Sequence, residues 1–282
     1  MSARASSERT FRFDEIGYWS EIKLDIVRDY AREYSKILSA QRSPELEHVY
    51  IDAFAGAGLH LSKHEAGKFI PGSPLNALSI SPPFKQYYFI DLDNQKVEHL
   101  RKLIGSRKDV QLESGDSNLI LKQKVFPQVR FDQYRRGLCL LDPYGLHLNW
   151  EIIETAGRMA SLEIFLNFPI ADMNRNVLWH DRTKVRPEDV QRMNAYWGDD
   201  SWERCAYTKD LFDYDLKEGN PSIAKCFSTR LREVAGFKYV SEPLPMRNSN
   251  NAIIYYLFFA SQRPVAKTIV DHIFRKYKNK GK

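Results

Sequence analysis

Apolar residues recur at Ile16, Trp19, Ile22, Ile26, Val27, Tyr30, Tyr34 and Ile37, a helical spacing that predicts one long amphipathic helix from about Asp14 to Leu38. Beyond it the period changes. Short apolar runs at 49–54, 87–91, 110–114, 137–142 and 162–168 read as strands, and helical patterns separate them. Apolar strands alternating with helices predict a parallel sheet covered on both faces. The alternation stops after Ile170. Residues 171–220 mix Trp179, Tyr196, Trp197, Trp202, Tyr207, Phe212 and Tyr214 with many charges and keep no clean period. That stretch reads as an inserted lid of short helices. Pro221 suits a first helical turn and opens a helix to about Ala235, with Gly236 as its cap. Residues 237–240 and 252–259 then follow as strands with no helix between them, so they pair antiparallel. The expected fold is α/β: a mostly parallel seven-stranded sheet with an antiparallel terminal hairpin and an inserted helical lid.

The corresponding division is a leader and packing helix over 1–44 and a ligand-binding half over 45–170. The insertion covers 171–220, a helix and strand hairpin 221–262, and a basic helix or tail 263–282. The chain of 282 residues is at the upper end for one domain, or allows one domain with a sizeable insertion. At that size it needs no disulfide or metal staple. Cys139, Cys205 and Cys226 stand far apart and suggest no pair or ligand cluster, which points to a reducing, cytoplasmic setting. The N-terminal residues lack the apolar core of a signal peptide, and no apolar run approaches about 18 residues, so no membrane span is expected. With 42 Lys and Arg against 36 Asp and Glu, the net charge is +6, compatible with a polyanionic partner. The excess gathers after Pro264, in Lys267, Arg275, Lys276, Lys278, Lys280 and Lys282 against Asp271 alone. A solvated helix end explains that cluster as well as a phosphate contact does.

In an open α/β sheet, ligands bind beyond the carboxyl ends of the strands. The first strand runs into Asp52-Ala-Phe54-Ala-Gly56-Ala-Gly58. Its glycines permit positive φ and close approach to a ligand, or simply a tight strand-to-helix connection. A pyrophosphate cradle would want a third small residue where Leu61 stands. The next helix signal is delayed to Ser73 as N-cap with Pro74 in the first turn, leaving 59–71 as a flap over a small molecule. The second strand ends in Asp91, whose carboxylate can accept both hydroxyls of a ribose or serve as a structural cap. It lies well beyond the spacing of about 20 residues seen in a dinucleotide fold. Asp93 is expected to cap the following helix. The third strand ends in Gly115-Asp116-Ser117; Asp116 can accept from an adenine amino group or cap the next helix.

The fourth strand ends in Asp142-Pro143-Tyr144-Gly145, the sharpest signal in the chain. An exocyclic amine needs two acceptors to aim its lone pair at an electrophile, and an Asp carboxylate plus a Pro carbonyl supply them. Tyr144 adds a flat face for a base. An ordinary Asp-Pro turn is the plain alternative. The fifth strand ends in Asn167 and Phe168, with Asp172, Asn174, Arg175 and Asn176 shortly after, as a substrate-binding group or a capped turn. The histidines show no metal spacing, and a P-loop, a Ser nucleophile elbow and paired cysteines are absent. A nicotinamide oxidoreductase and a carboxylate-dependent nuclease fit these strand ends less well.

Together the strand ends resemble the class I S-adenosylmethionine-dependent methyltransferases over roughly 45–260. More narrowly, Ile-Asp-Ala-Phe-Ala-Gly-Ala-Gly, Gly-Ser-Pro-Leu-Asn-Ala-Leu, Phe-Ile-Asp-Leu-Asp, Leu-Asp-Pro-Tyr-Gly and Leu-Asn-Phe-Pro with Met173-Asn-Arg-Asn176 are similar to the three-Cys-motif partner family. Asp-Pro-Tyr-Gly is also similar to the Asp-Pro-Pro-Tyr of amino-methylating enzymes and to the Asp-Pro-Phe-Gly of tRNA guanine-N2 methyltransferases. The resemblance implies a Rossmann-like fold, bacterial or phage origin, and S-adenosylmethionine as cofactor. It implies a three-cysteine-motif protein as partner and leaves the substrate open; the acceptors of the Asp142 turn make a nucleobase amine in DNA or RNA the expected one. Asp52, Phe54, Gly56, Gly58, Asp91, Asp116 and Ser117 would then hold the cofactor, and Asp142, Pro143 and Tyr144 the target amine. The competing expectation is a methyltransferase-like scaffold that binds the three-cysteine protein and catalyses little.

Overall fold

A computed structural model describes residues 12–209, 211 and 215–278. The leader before Arg12, the aromatics Phe212 and Tyr214, and the terminal Lys280 and Lys282 lie outside the described residues. Five parallel strands form the heart of the main sheet: Glu47–Asp52, Gln86–Asp91, Val110–Ser114, Arg135–Leu141 and Leu162–Phe168. In space they run third, second, first, fourth, fifth. The order therefore reverses between the first and fourth strands, and a ligand crevice belongs at such a switch point.

The late strands pair antiparallel as expected but differ in number. Ile253–Ser261 pairs antiparallel with the fifth strand, and two short pieces, Tyr239–Val240 and Leu244–Arg247, pair in succession along its outer edge. The sheet thus has eight strands, with one edge strand broken at Ser241–Pro243. Pro243 and Pro245 lack backbone N–H groups, which confines such a sequence to a sheet edge.

Helices cover both faces. On one, Tyr18–Ala40, Ser73–Leu78, Asn94–Ile104 and Pro264–Lys278 pack around Tyr30, Tyr87, Phe165 and Phe259. On the other, Trp150–Met159, Pro187–Trp197 and Asn220–Glu233 pack around Phe168, Trp197 and Phe227. The first helix begins later than its apolar period suggests, because Glu15–Ile16 is drawn into a small sheet with Leu59–Ser62 and Phe69–Pro71. The expected flap at 59–71 is therefore an ordered β-hairpin. Gly72, not Ser73, is the N-cap of the short helix after it, and Ser73 is buried.

The 171–220 stretch contains the helices Ile170–Asn176, Pro187–Trp197 and Trp202–Ala206 and a hairpin of Tyr207–Lys209 with Asp215–Lys217. Its Met173, Leu178, Met193, Tyr196, Trp197 and Trp202 join the main core, so it is anchored to the body. The cysteine reading needs correction. Cys205 and Cys226, 21 residues apart in sequence, are joined as a disulfide because their two helices pack together; Cys139 alone is free and buried. No helix among the described residues is long and apolar enough to cross a membrane.

Candidate functional site

Four carboxylate-bearing strand ends stand side by side along one edge of the sheet. Across the sheet they read Asp142, then Asp52 with the glycine turn, then Asp91, then Asp116. The switch point falls between Asp142 and Asp52. Gly56 and Gly58 both hold positive φ, +63° and +83°, and a Cβ on Gly58 would lie 2.7 Å from Leu100 Cδ1. The turn is pinned from the next strand: Asp91 Oδ2 accepts the Gly56 N–H at 2.8 Å, while Asp91 Oδ1 accepts the Asp93 N–H at 2.9 Å. A carboxylate offers about four lone-pair sites, so each oxygen of Asp91 keeps one for a ligand hydroxyl. Asp93 caps the next helix through the Gln95 N–H, as its position suggests. Asp116 is exposed and accepts from both the backbone and side-chain nitrogens of Asn118, so it does cap the helix after it.

Asp52 is fully buried. Its Oδ1 accepts the Phe54 N–H at 3.2 Å, and Oδ2 has no hydrogen-bond partner. Burial pushes its carboxyl up to about 7; nearby Ser73 and the Phe54 N–H oppose that, and the charges of Asp142 and Asp91 reinforce it. Its neighbour Asp142 is ion-paired with Lys23, which the long N-terminal helix delivers into the sheet edge. Lys23 is itself buried, and its Nζ lies 5.2 Å from the centroid of the Tyr255 ring. Burial works to lower the Lys23 pKa, but Asp142, Tyr255 and Asp52 outweigh it and hold the ammonium raised and charged. His60, from the hairpin, sits near this charge. Its pKa is lowered by burial and by Lys23, and its Nδ1 has no hydrogen-bond partner.

The Asp-Pro-Tyr-Gly turn is built to project. Pro143 is buried, Gly145 takes φ +63°, and Tyr144 is 90% exposed. Asp172 lies beneath it: a Cβ on Gly145 would meet Asp172 Oδ2 at 2.9 Å, and that oxygen has no hydrogen-bond partner.

Several expected ligand residues have other employment. Phe168 is fully buried, its ring 4.6 Å from that of Phe227, so it is core and does not line the crevice. Ser117 is buried and donates to the Ala53 carbonyl, bracing the glycine turn from behind. Asn174 accepts from Lys217 and donates to Asn220, tying the base of the 171–220 stretch. Arg175 is exposed, and Phe54 is half-buried against the core. Asn167 is half-buried, its backbone carbonyl accepting from the Tyr196 hydroxyl and its Oδ1 without a partner. Sequence reasoning overlooked Lys23 and Tyr255, gave His60 an ordinary surface or loop role, and placed Asp172 only within the polar cluster after the fifth strand. Lys23 did carry a signal: it falls among the apolar positions of the first helix, where a lysine needs a buried anion. A cavity of about 860 Å³ opens beside this cluster, with Tyr18, Trp19, Lys63, Arg247 and Tyr255 in its wall. Among the described residues, no group of three or more His, Cys, Asp or Glu is placed to hold a metal.

No family model and no curated protein matches the chain. Among solved structures, protein LPL1258 from Legionella pneumophila str. Philadelphia 1, family-model DUF519, is similar at a TM-score of 0.51 and 13% identity. It aligns over 92% of this chain and 93% of its own. That likeness shows a shared fold. Two methyltransferase structures align at a TM-score of 0.37. The methyltransferase domain of the bacterial CtHen1-C is 11% identical over 83% of this chain and 100% of its own. The Leishmania major protein LMAJ004091AAA, a SAM-dependent methyltransferase, is 9% identical over 84% and 72%.

Proposed function

We propose that the protein is an S-adenosylmethionine-dependent methyltransferase whose acceptor is an exocyclic amine of a nucleobase in DNA or RNA. One observation carries this reading. The Asp142-Pro143-Tyr144-Gly145 turn stands at the switch point, immediately beside the glycine turn that Asp91 pins. The crevice suits an adenosyl group: positive-φ glycines allow close approach, Asp91 retains acceptor capacity for the ribose, and Asp116 is exposed at the far side. When bound, the cofactor would supply an electrophilic methyl group. This chain's part is to fix the amine. Lys23 engages Oδ2 of Asp142, which leaves Oδ1 and the Pro143 carbonyl as the two acceptors. Tyr144 offers its exposed ring to an unstacked base. No covalent intermediate is required, and the resemblance of these motifs to those of the three-Cys-motif partner family is in keeping with this division of labour.

The test is calorimetric titration of S-adenosylhomocysteine, followed by transfer of labelled methyl from S-adenosylmethionine to DNA and RNA pools. Binding that Asp91→Asn weakens at least tenfold, with label in one nucleic-acid pool, is the expected result. A folded wild type that binds no S-adenosylhomocysteine would overturn the reading. It would favour a methyltransferase-like scaffold that docks a three-cysteine-motif protein. One feature favours that second reading: Asp91, Asp116 and Asp142 are all bonded to the chain's own groups.

A further inference from the structure

We propose that a groove outside the crevice holds the sugar–phosphate backbone of the nucleic-acid strand whose base is presented to Asp142, an inference that rests on the nucleobase reading above. The groove has a volume of about 1010 Å³. It lies between the helices Asn220–Glu233 and Pro264–Lys278, over the broken edge strand of the sheet.

Its charge is one-sided. Lys225 and Arg232 line it from the first helix, Lys267, Arg275 and Lys278 from the second, and Arg247 from the edge strand; Glu242 and Asp271 are the acids. Asp271 is occupied, its carboxylate by Lys267 and its backbone carbonyl by Arg275. The others leave a cationic wall suited to a polyanion.

Two hydroxyls in that wall add an independent sign. Ser241 Oγ and Tyr256 Oη are buried, in residues only 1% and 4% exposed, and neither has a hydrogen-bond partner. Buried hydroxyls are normally satisfied, so two orphans in one groove point to a ligand with acceptor oxygens.

The groove also leads to the crevice. Its edge strand climbs from Val240, opposite Ala260, to Arg247, opposite Ile253. That is roughly 20 Å at about 3.3 Å per residue, enough for several phosphates of one strand. Arg247 belongs to the wall of both this groove and the 860 Å³ cavity beside Tyr255, whose ring faces Lys23. A strand laid along this track would arrive at the Asp142 turn. An added peptide strand is the competing occupant of a sheet edge, but Pro243 and Pro245 remove two of the N–H donors it would need.

The experiment measures anisotropy of a labelled single-stranded oligonucleotide, poly(dT) and poly(U) in parallel, against full-length protein over a series of salt concentrations. The variant is Lys225→Ala/Arg232→Ala/Lys278→Ala, three exposed helix-surface cations that pair with no carboxylate among the described residues. Its affinity is expected to fall at least tenfold at low salt, and its slope of log K against log salt to shrink by about 0.7 per lost contact. Its S-adenosylhomocysteine affinity should stay at the wild-type value. Tyr256→Phe should weaken the oligonucleotide several-fold without lowering the unfolding midpoint. Unchanged affinity and slope in the triple variant would overturn the groove while leaving the nucleobase reading intact. A wild type that binds S-adenosylhomocysteine but no oligonucleotide would overturn both. Equal displacement by poly-glutamate would also overturn the groove, making the surface one for acidic protein.

Discussion

Nζ of Lys23 is ion-paired with Oδ2 of Asp142, joining the N-terminal helix to the Asp-Pro-Tyr-Gly turn 119 residues away. The pair is largely buried, with the side chains 10% and 25% exposed. Removing one partner of a fully buried pair costs about 3–5 kcal/mol because the other charge is stranded. The partial exposure of Asp142 places this pair at or below the low end of that range. Asp142→Ala is therefore expected to lower unfolding free energy by about 2–3 kcal/mol and to abolish methyl transfer, with S-adenosylhomocysteine affinity held within a few-fold. Lys23→Met should slow transfer while leaving Asp142 in place. In urea unfolding, the double variant Lys23→Met/Asp142→Ala should lose less than the two single losses combined. Strict additivity would mean the pair is not coupled in solution.

Tyr144 makes a different case, because almost its whole surface is in water. An exposed ring with no core contact contributes little to folding, so Tyr144→Ala should change stability by no more than about 0.5 kcal/mol. Base stacking on an aromatic is worth about 1–3 kcal/mol, which corresponds to a loss of roughly 5- to 150-fold in kcat/KM for the nucleic acid. Tyr144→Phe should retain most of the activity. Full activity in the alanine variant would remove the ring from substrate binding.

What could be read in advance follows from locality. The strand ends were legible because a short apolar run, a turn residue and a carboxylate lie within a few positions of one another, as at 137–145 and 87–93. Asp93 as a helix cap is local in the same sense. The Lys23–Asp142 pair and the Cys205–Cys226 disulfide depend on how helices dock, which no window of residues contains. Phe168 was misplaced for a related reason. Strand alternation sends it to the opposite side from Asn167, into the ring cluster with Phe227 and Tyr196, and only the packed sheet reveals which side is core. The break in the edge strand was missed because its second piece, Leu244–Arg247, is too short and proline-flanked to show a period.

The two positive-φ glycines at 58 and 67 separate backbone strain from crowding. At Gly67 a Cβ would meet nothing within 4 Å, whereas at Gly58 it would run into Leu100 and Leu103 at 2.7 and 3.2 Å. Gly67→Ala should cost only the left-handed strain, about 1–2 kcal/mol, and leave ligand affinity alone. Gly58→Ala should cost more, by displacing the leucines and with them the turn that Asp91 holds. A tenfold or greater loss of S-adenosylhomocysteine affinity in calorimetry, confined to Gly58→Ala, is the expected contrast. Equal effects of the two substitutions would show that the turn is not part of the ligand site.

The pH dependence of stability is expected to contain two opposed contributions. Burial raises the Asp52 carboxyl to about 7 from an ordinary value of 3.8. Between these limits the folded chain holds a proton that the unfolded chain has lost, so stability falls as pH rises from about 4 to 7 and stays reduced above. His48 acts the other way. Burial lowers it to about 4 from 6.5, so below pH 6.5 the unfolded chain takes up a proton that the folded chain refuses, and stability falls with falling pH. Asp52→Asn keeps the shape and removes only the first contribution. Relative to wild type, the variant should therefore gain stability between pH 5 and pH 8, while its own curve keeps the acid-side decline due to His48. Urea unfolding at the two pH values measures the difference directly. A wild type and variant whose difference is the same at pH 5 and pH 8 would show that Asp52 is not held protonated beside Lys23 and Asp142.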